Sequence, residues 1–251
     1  MFVAASTDCF SELSLVDAIE RLSDLEYSAT EISIHEDGNQ IKPTEVVADV
    51  EKAIGVCRDT HRLDISGYDV QISATGDEHY RQFNAICRLA KATKVVSVTV
   101  PSAELGTPFN EEVEHLRSLV DIATREGVLV SIASQIGRLS EDPDTVVVLC
   151  DNVKGLGVTF DPSHYICGPH AGRNIDQLNK YTYNVHLRDT SKDKLQVRVG
   201  QGEVEYSRLI NRLRLVKYDR ALCVSIRETN EAGLDHNSEM RKIRLLLESL
   251  L

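Results

Sequence analysis

The sequence predicts a single (β/α)8 barrel of the TIM type over residues 1–251. Short apolar or alternating runs take turns with segments of helical spacing along the whole chain, giving eight strand–helix units. Eight such units in 251 residues suit a closed parallel barrel, and their uninterrupted series argues for one domain. The competing architecture, a doubly wound open sheet, often carries a Gly-rich dinucleotide turn. Here Gly155-x-Gly157 lies inside a strand with no third glycine, which also disfavours an oxidoreductase.

The elements follow in order. FVAAS is a short apolar run, and in LSLVDAIERLSDL the pair Ser14 and Asp17 forms a capping box ahead of Leu15, Ala18, Leu22 and Leu25 on one helical face. ATEISIH alternates strictly, with Ile32 and Ile34 on one face and Glu31, Ser33 and His35 on the other, as a strand does. Val46, Val50, Ile54 and Cys57 keep helical spacing; LDISG then reads as strand, Tyr80 to Ala90 as helix and KVVSVTV as strand. Asn110 caps a helix through Val113, Leu116, Leu119, Val120 and Ala123 that stops at Gly127. VLVSIAS, GLGVTFD, YNVHLR and ALCVSIR are the last four strands. Helices at Asp144 to Cys150, Asn174 to Lys180, Tyr206 to Leu215 and Ser238 to Leu251 separate and close them.

Composition narrows the function classes. With 28 basic and 39 acidic side chains the net charge is −11, which argues against a nucleic-acid surface. No run approaches the roughly 18 apolar residues of a membrane helix. Met1 to Ala5 lacks a basic leader, so a cytoplasmic protein is expected. The six cysteines show no CxxC spacing and read as small buried hydrophobes.

Strand alternation assigns faces. Val128, Val130 and Ile132 turn toward the helices and Leu129, Ser131 and Ala133 inward; Leu156, Val158 and Phe160 outward and Gly157, Thr159 and Asp161 inward. In the last two strands Tyr183, Val185, Leu187, Leu222, Val224 and Ile226 turn outward. Asn184, His186, Arg188, Cys223, Ser225 and Arg227 turn inward. Asp161, His186 and Arg188 thus converge at the carboxyl-terminal mouth, where barrel enzymes keep their chemistry. An inward carboxylate and imidazole pair with each other, bind a metal or bind a polar substrate. His164 in DPSH lies above the same rim, and His35 tops the second strand as a substrate contact. His61, His79, His115 and His236 are expected to be solvated, and His170 sits in the Gly168–Gly172 loop.

The pattern GLGVTFDPSHYICG, then VHLRDT, then GQGEVEYSRLI resembles the xylose-isomerase-like barrel superfamily of sugar isomerases and epimerases. The opening CFSELSLVDAIERLSDLEYSATEIS is similar to that family's first unit and its strand-two Glu, here Glu31. The resemblance implies a divalent metal held by Glu, Asp, His and Glu on strands five to eight. The metal polarises a sugar carbonyl and hydroxyl while the two Glu move a proton. Asp161 and His186 match the middle ligands, and His164 a substrate-contacting histidine that joins them; Ala133 and Ser225 stand where both Glu should be. Glu203 and Glu228, with Asp189 nearby, are candidate replacements, giving a rebuilt site for one divalent Zn or Mn. Arg188 and Arg198, with Lys192 and Lys194, make the seventh loop basic and suggest an anionic sugar.

The expected function is an isomerase or epimerase acting on, or binding, a sugar, sugar phosphate or polyol. The alternative is a catalytically inactive sugar-binding barrel, and a nuclease of the endonuclease-four type lacks the carboxylates it needs. Leu245, Leu246, Leu247, Leu250 and Leu251 suggest a homodimer contact.

Overall fold

Apolar side chains that recur every second residue need a sheet whose far face is covered by helices. In a computed structural model, which describes residues 1–228 and 235–251, the chain meets that need by closing on itself. Strands β1 (Phe2–Ser6), β2 (Ala29–His35), β3 (Asp64–Gln71), β4 (Ser97–Val100), β5 (Leu129–Ala133), β6 (Leu156–Phe160), β7 (Thr182–Leu187) and β8 (Ala221–Val224) form a barrel in sequence order. Every neighbouring pair is parallel, including β8 with β1, so no strand edge is left open.

The helices are α1 (Leu15–Asp24), α2 (Pro43–Ala48), α3 (Val50–Arg58), α4 (Gly76–Ala92), α5 (Phe109–Glu126), α6 (Pro143–Asn152), α7 (Ser163–Ile166), α8 (Tyr206–Leu215) and α9 (His236–Glu248). Ser14 begins α1 as its sequence promised, its hydroxyl accepting the Asp17 N–H at 3.3 Å. Gly127 ends α5 in the left-handed region at φ 74°. The helical spacing from Val46 to Cys57 is split in two: Asp49, extended at φ −153°, closes α2 and caps α3 by accepting the Lys52 N–H at 2.9 Å. The helix expected from Asn174 is a 3-10 segment, Asp176–Tyr181.

Outward-facing Val98, Val130, Ile132, Val158, Phe160, Val185, Leu187, Leu222 and Val224 are buried under Leu22, Phe83, Leu116, Leu149, Leu213 and Met240. The interior is different in kind. Small residues Ala4, Ala29, Ala221 and Cys223 pack together low in the barrel, and above them hydroxyls bond across it, Thr159 reaching Thr99 and Ser131 at 2.7 Å each. One assigned face is corrected: Tyr183 does not turn outward. The β6–β7 register slips between Val158 and Thr159, which leaves Tyr183 as the extra residue of a bulge. Its ring occupies the space an inward side chain at Gly157 would need, with the Arg220 guanidinium 5.5 Å from the ring centre.

All six cysteines are free, and all but the partly covered Cys167 are buried. Among the described residues no helix is long and apolar enough to cross a membrane. Of the closing leucines, Leu247 is in the core, Leu246 and Leu250 pack partly against it, and Leu245 and Leu251 are exposed.

Candidate functional site

The inward polar side chains of the strand tops line a cavity of about 420 Å3 at the carboxyl-terminal mouth. Its wall includes Asp8, Asp69, Ala133, Asp161, His164, His186, Arg188, Ser225 and Arg227. Asp161, His164, His186 and Arg188 are therefore brought together as the strand alternation predicts.

Their bonding follows from which strands are neighbours and how deep each residue sits. Arg188, just past β7, donates from Nη2 to Asp161 Oδ2 at 2.8 Å and to Ser225 Oγ at 3.3 Å. The Ser225 N–H bonds the Leu187 carbonyl, which seats Ser225 beside Arg188. Burial works to raise the Asp161 carboxyl, but Arg188, then His164 and His186, hold it below the ordinary carboxylate value. Its other oxygen accepts the Ser163 N–H at 2.9 Å. His164 lies 3.7 Å from Asp161 through Nε2, and its Nδ1 accepts the Ile136 N–H at 3.2 Å. Burial lowers its pKa, so the ring is neutral, and with Nδ1 accepting, Nε2 carries the proton. His164 thus faces the cavity as a donor.

His186 sits deeper. Its Nε2 lies 2.7 Å from Glu31 Oε2, and the Asn184 amide donates to Glu31 Oε1 at 2.6 Å. Burial pulls the imidazole down, but the Glu31 charge and hydrogen bond outweigh it and push its pKa up to about 9. Gly67 lies beside the Glu31 carboxylate, where a Cβ would sit 3.4 Å from Oε1. His35 pairs with Asp69 at 3.0 Å. Burial lowers His35 and raises Asp69, yet their contact prevails and shifts each the other way. On the rim Arg227 grips Asp8 at 3.0 Å.

Several expected site residues are elsewhere. Glu203 is exposed beside Lys192, 3.6 Å from its ammonium, and lines a separate groove of about 500 Å3 with Tyr165, Arg173, Arg208 and Arg212. Glu228 is exposed, and Arg198 is half-buried on the seventh loop; neither lines the mouth cavity. Asp189 is buried but spent on its own loop, accepting the N–H groups of Gly200 at 2.7 Å and Gly202 at 3.0 Å. His236 is buried, and His79 and His115 are partly buried rather than freely solvated. His79 and His115 meet edge-on at 5.1 Å beside a second cavity of about 210 Å3, with burial lowering His115 to about 4, and His236 packs edge-on against Phe10. His170 sits 3.6 Å from Glu141. Asp69 was missed because the strand expected to end at Gly67 continues to Gln71, past a register slip at Thr30/Glu31, and Asp8 because it lies in the 3-10 turn Thr7–Phe10 after β1, where no alternation applies.

A sequence profile of the xylose isomerase-like TIM barrel family matches residues 19–246. The chain belongs to that family. No curated protein matches it. Solved structures of the same fold include the apo 3-keto-D-glucoside 4-epimerase from E. coli, 14% identical with a TM-score of 0.75 over 99% of both chains. Another is the probable 3-DHS dehydratase of petrobactin synthesis from Bacillus anthracis, 14% identical with a TM-score of 0.74 over 97% of this chain and 98% of that one. A third is a xylose isomerase-like TIM barrel protein from Mycobacterium smegmatis in complex with magnesium, 15% identical, TM-score 0.76, over 99% and 97%. These likenesses establish the fold.

Whether the mouth fits a divalent ion is decided by its donors. Ala133 has none to offer, Ser225 and Asp161 are both engaged by Arg188, and His186 Nε2 is turned to Glu31. A dication placed among Asp161, His164 and Ser225 would meet a guanidinium already there. The mouth residues do not fit a metal. Deeper, Glu31, His186 and Cys223 bring one ligand atom each within 4.8 Å of one another, a set able to hold a divalent ion. In this structure those atoms bond each other, Cys223 Sγ lying 3.8 Å from Glu31 Oε2.

Proposed function

We propose that the chain binds an uncharged sugar or polyol at the barrel mouth and does not perform the proton transfer of the sugar epimerases it resembles. The observation that carries this reading is the pairing of charges. Each described carboxylate of the cavity faces a base on a neighbouring segment: Asp8 with Arg227, Asp69 with His35 and Asp161 with Arg188. Among the described residues of the wall a phosphate or carboxylate would meet only cations already paired, whereas hydroxyl groups match a wall of donors and acceptors. Of the basic residues that suggested an anionic ligand, Arg198, Lys192 and Lys194 lie off the cavity, and Arg188, which lines it, is paired with Asp161.

The same bonds leave the mouth without a strong general base. A general base must offer a lone pair to the proton it removes. His164 presents N–H, with its lone pair held by the Ile136 amide. Asp161 is a weak base because Arg188 holds its carboxyl below the ordinary value, and Glu31, bonded to Asn184 and His186, does not line the cavity. An isomerase or epimerase with a rebuilt site is the second reading, and the His35–Asp69 and His186–Glu31 pairs favour it, since a histidine–carboxylate pair at a cavity wall can relay a proton.

The test is a panel of aldoses, ketoses, polyols and their phosphates, scored by thermal shift and, in D2O, by NMR for exchange at carbon. The expected result is a neutral ligand that raises Tm in the wild type and not in Asp161→Ala, with no exchange. Preference for the phosphates would overturn the ligand class. Carbon-bound deuterium would establish the second reading.

A further inference from the structure

We propose that the Arg188 guanidinium is a built-in replacement for a divalent cation, making this a barrel whose mouth is organised without metal. Three groups point at one spot: Asp161 Oδ2 is 2.8 Å and Ser225 Oγ 3.3 Å from Arg188 Nη2, and His164 Nε2 is 3.7 Å from the same Asp161 oxygen. Strand registers set this convergence. Leu187 pairs with Val224, placing Arg188 and Ser225 side by side at the top of β7 and β8, while Asp161 rises from the top of β6. Arg188 is only 9% exposed, so its charge is held in place by Asp161 rather than by water.

The charges balance in a way that supports the substitution. Three carboxylates suit a dication; one carboxylate suits one guanidinium. With Ala133 and Ser225 where the resemblance places two Glu, the mouth loses two negative charges and the cation beside Asp161 is a single positive one. The guanidinium is planar, remains charged at any working pH and cannot leave, so the site has no dependence on metal supply. It also keeps donors in reserve. Arg188 Nε is buried without a hydrogen-bond partner, and among the described residues Nη1 has no protein acceptor. Nε is closed off from the cavity, so it is Nη1 of this cavity-lining residue that is left to donate to a ligand hydroxyl or carbonyl oxygen. That last role rests on the sugar-binding reading; the replacement of the metal does not.

Metal binding tests the replacement without any ligand. Untagged protein purified without chelator is analysed by elemental mass spectrometry and titrated calorimetrically with MnCl2 and ZnCl2, alongside Asp161→Asn and the triple variant Ala133→Glu, Ser225→Glu, Arg188→Leu. The wild type is expected to hold no metal at the mouth, so that any ion taken deeper by Glu31, His186 and Cys223 stays unchanged in Asp161→Asn. The triple variant, which restores carboxylates and vacates the guanidinium's place, is expected to gain about one equivalent of Mn. About one equivalent in the wild type, lost in Asp161→Asn, overturns the proposal. So does a folded triple variant, by circular dichroism, that gains nothing. If the triple variant fails to fold, the wild-type and Asp161→Asn measurements decide alone.

Discussion

Replacing Glu31 by Gln removes the counter-charge of a buried imidazolium. The His186 side chain is 11% exposed and that of Glu31 is 0% exposed, so water does not take over the lost role. Removing one partner of such a pair typically costs about 3–5 kcal/mol, because the remaining charge is stranded. The pH dependence makes the reasoning specific. In the wild type His186 titrates at about 9, against 6.5 for the ordinary side chain. A raised folded-state value means the stabilisation is fully present below about pH 6.5 and is lost as pH climbs through about 9. The difference corresponds to on the order of 3 kcal/mol. In Glu31→Gln burial acts without its strongest opponent and the His186 value falls, so the variant gains relative stability as pH rises. Urea unfolding of both proteins at intervals from pH 6 to pH 9.5 measures this. The wild-type advantage should shrink by about 3 kcal/mol across that window. Parallel stability curves would refute the assignment of a charged His186–Glu31 pair.

Other outcomes follow from packing and burial. Gly157→Ala places a Cβ against the Tyr183 ring and should cost about 1–3 kcal/mol by urea unfolding, with much of the loss recovered in Gly157→Ala/Tyr183→Ala. His115, bonded to the Tyr80 hydroxyl at 3.1 Å and lowered to about 4 by burial, should keep neutral-ring NMR shifts at pH 5.5, where a solvated histidine is mostly protonated. Ser14→Ala removes the α1 cap and should lower stability by about 1 kcal/mol, with no effect on ligand binding.

The barrel was legible because the alternation of periods two and 3.6 is set by the backbone and survives sequence divergence. The same alternation put Asp161, His186 and Arg188 inside. It gives direction, however, and not depth. Nothing in the spacing says that His186 lies low enough to meet Glu31 from a strand that is not its neighbour, or that Arg188 lies high enough to bridge Asp161 and Ser225. Bulges defeat it locally. The slip between Val158 and Thr159 turned Tyr183 inward, and the slip at Thr30/Glu31 hid Asp69. Loop residues such as Glu203 and Glu228 carry no period at all, so proximity in sequence to strand tops was a poor guide to where they point. His79 and His115 were misjudged for a related reason: their helices α4 and α5 pack closely enough for the two rings to meet edge-on and be partly covered.

The most direct measurement is a calorimetric titration of the best neutral sugar or polyol from the panel, performed on the wild type in excess EDTA and again with added Mn. Equal affinity in both, abolished by Asp161→Ala, is the result expected of a mouth organised by Arg188. Binding that appears only with the metal would contradict the account.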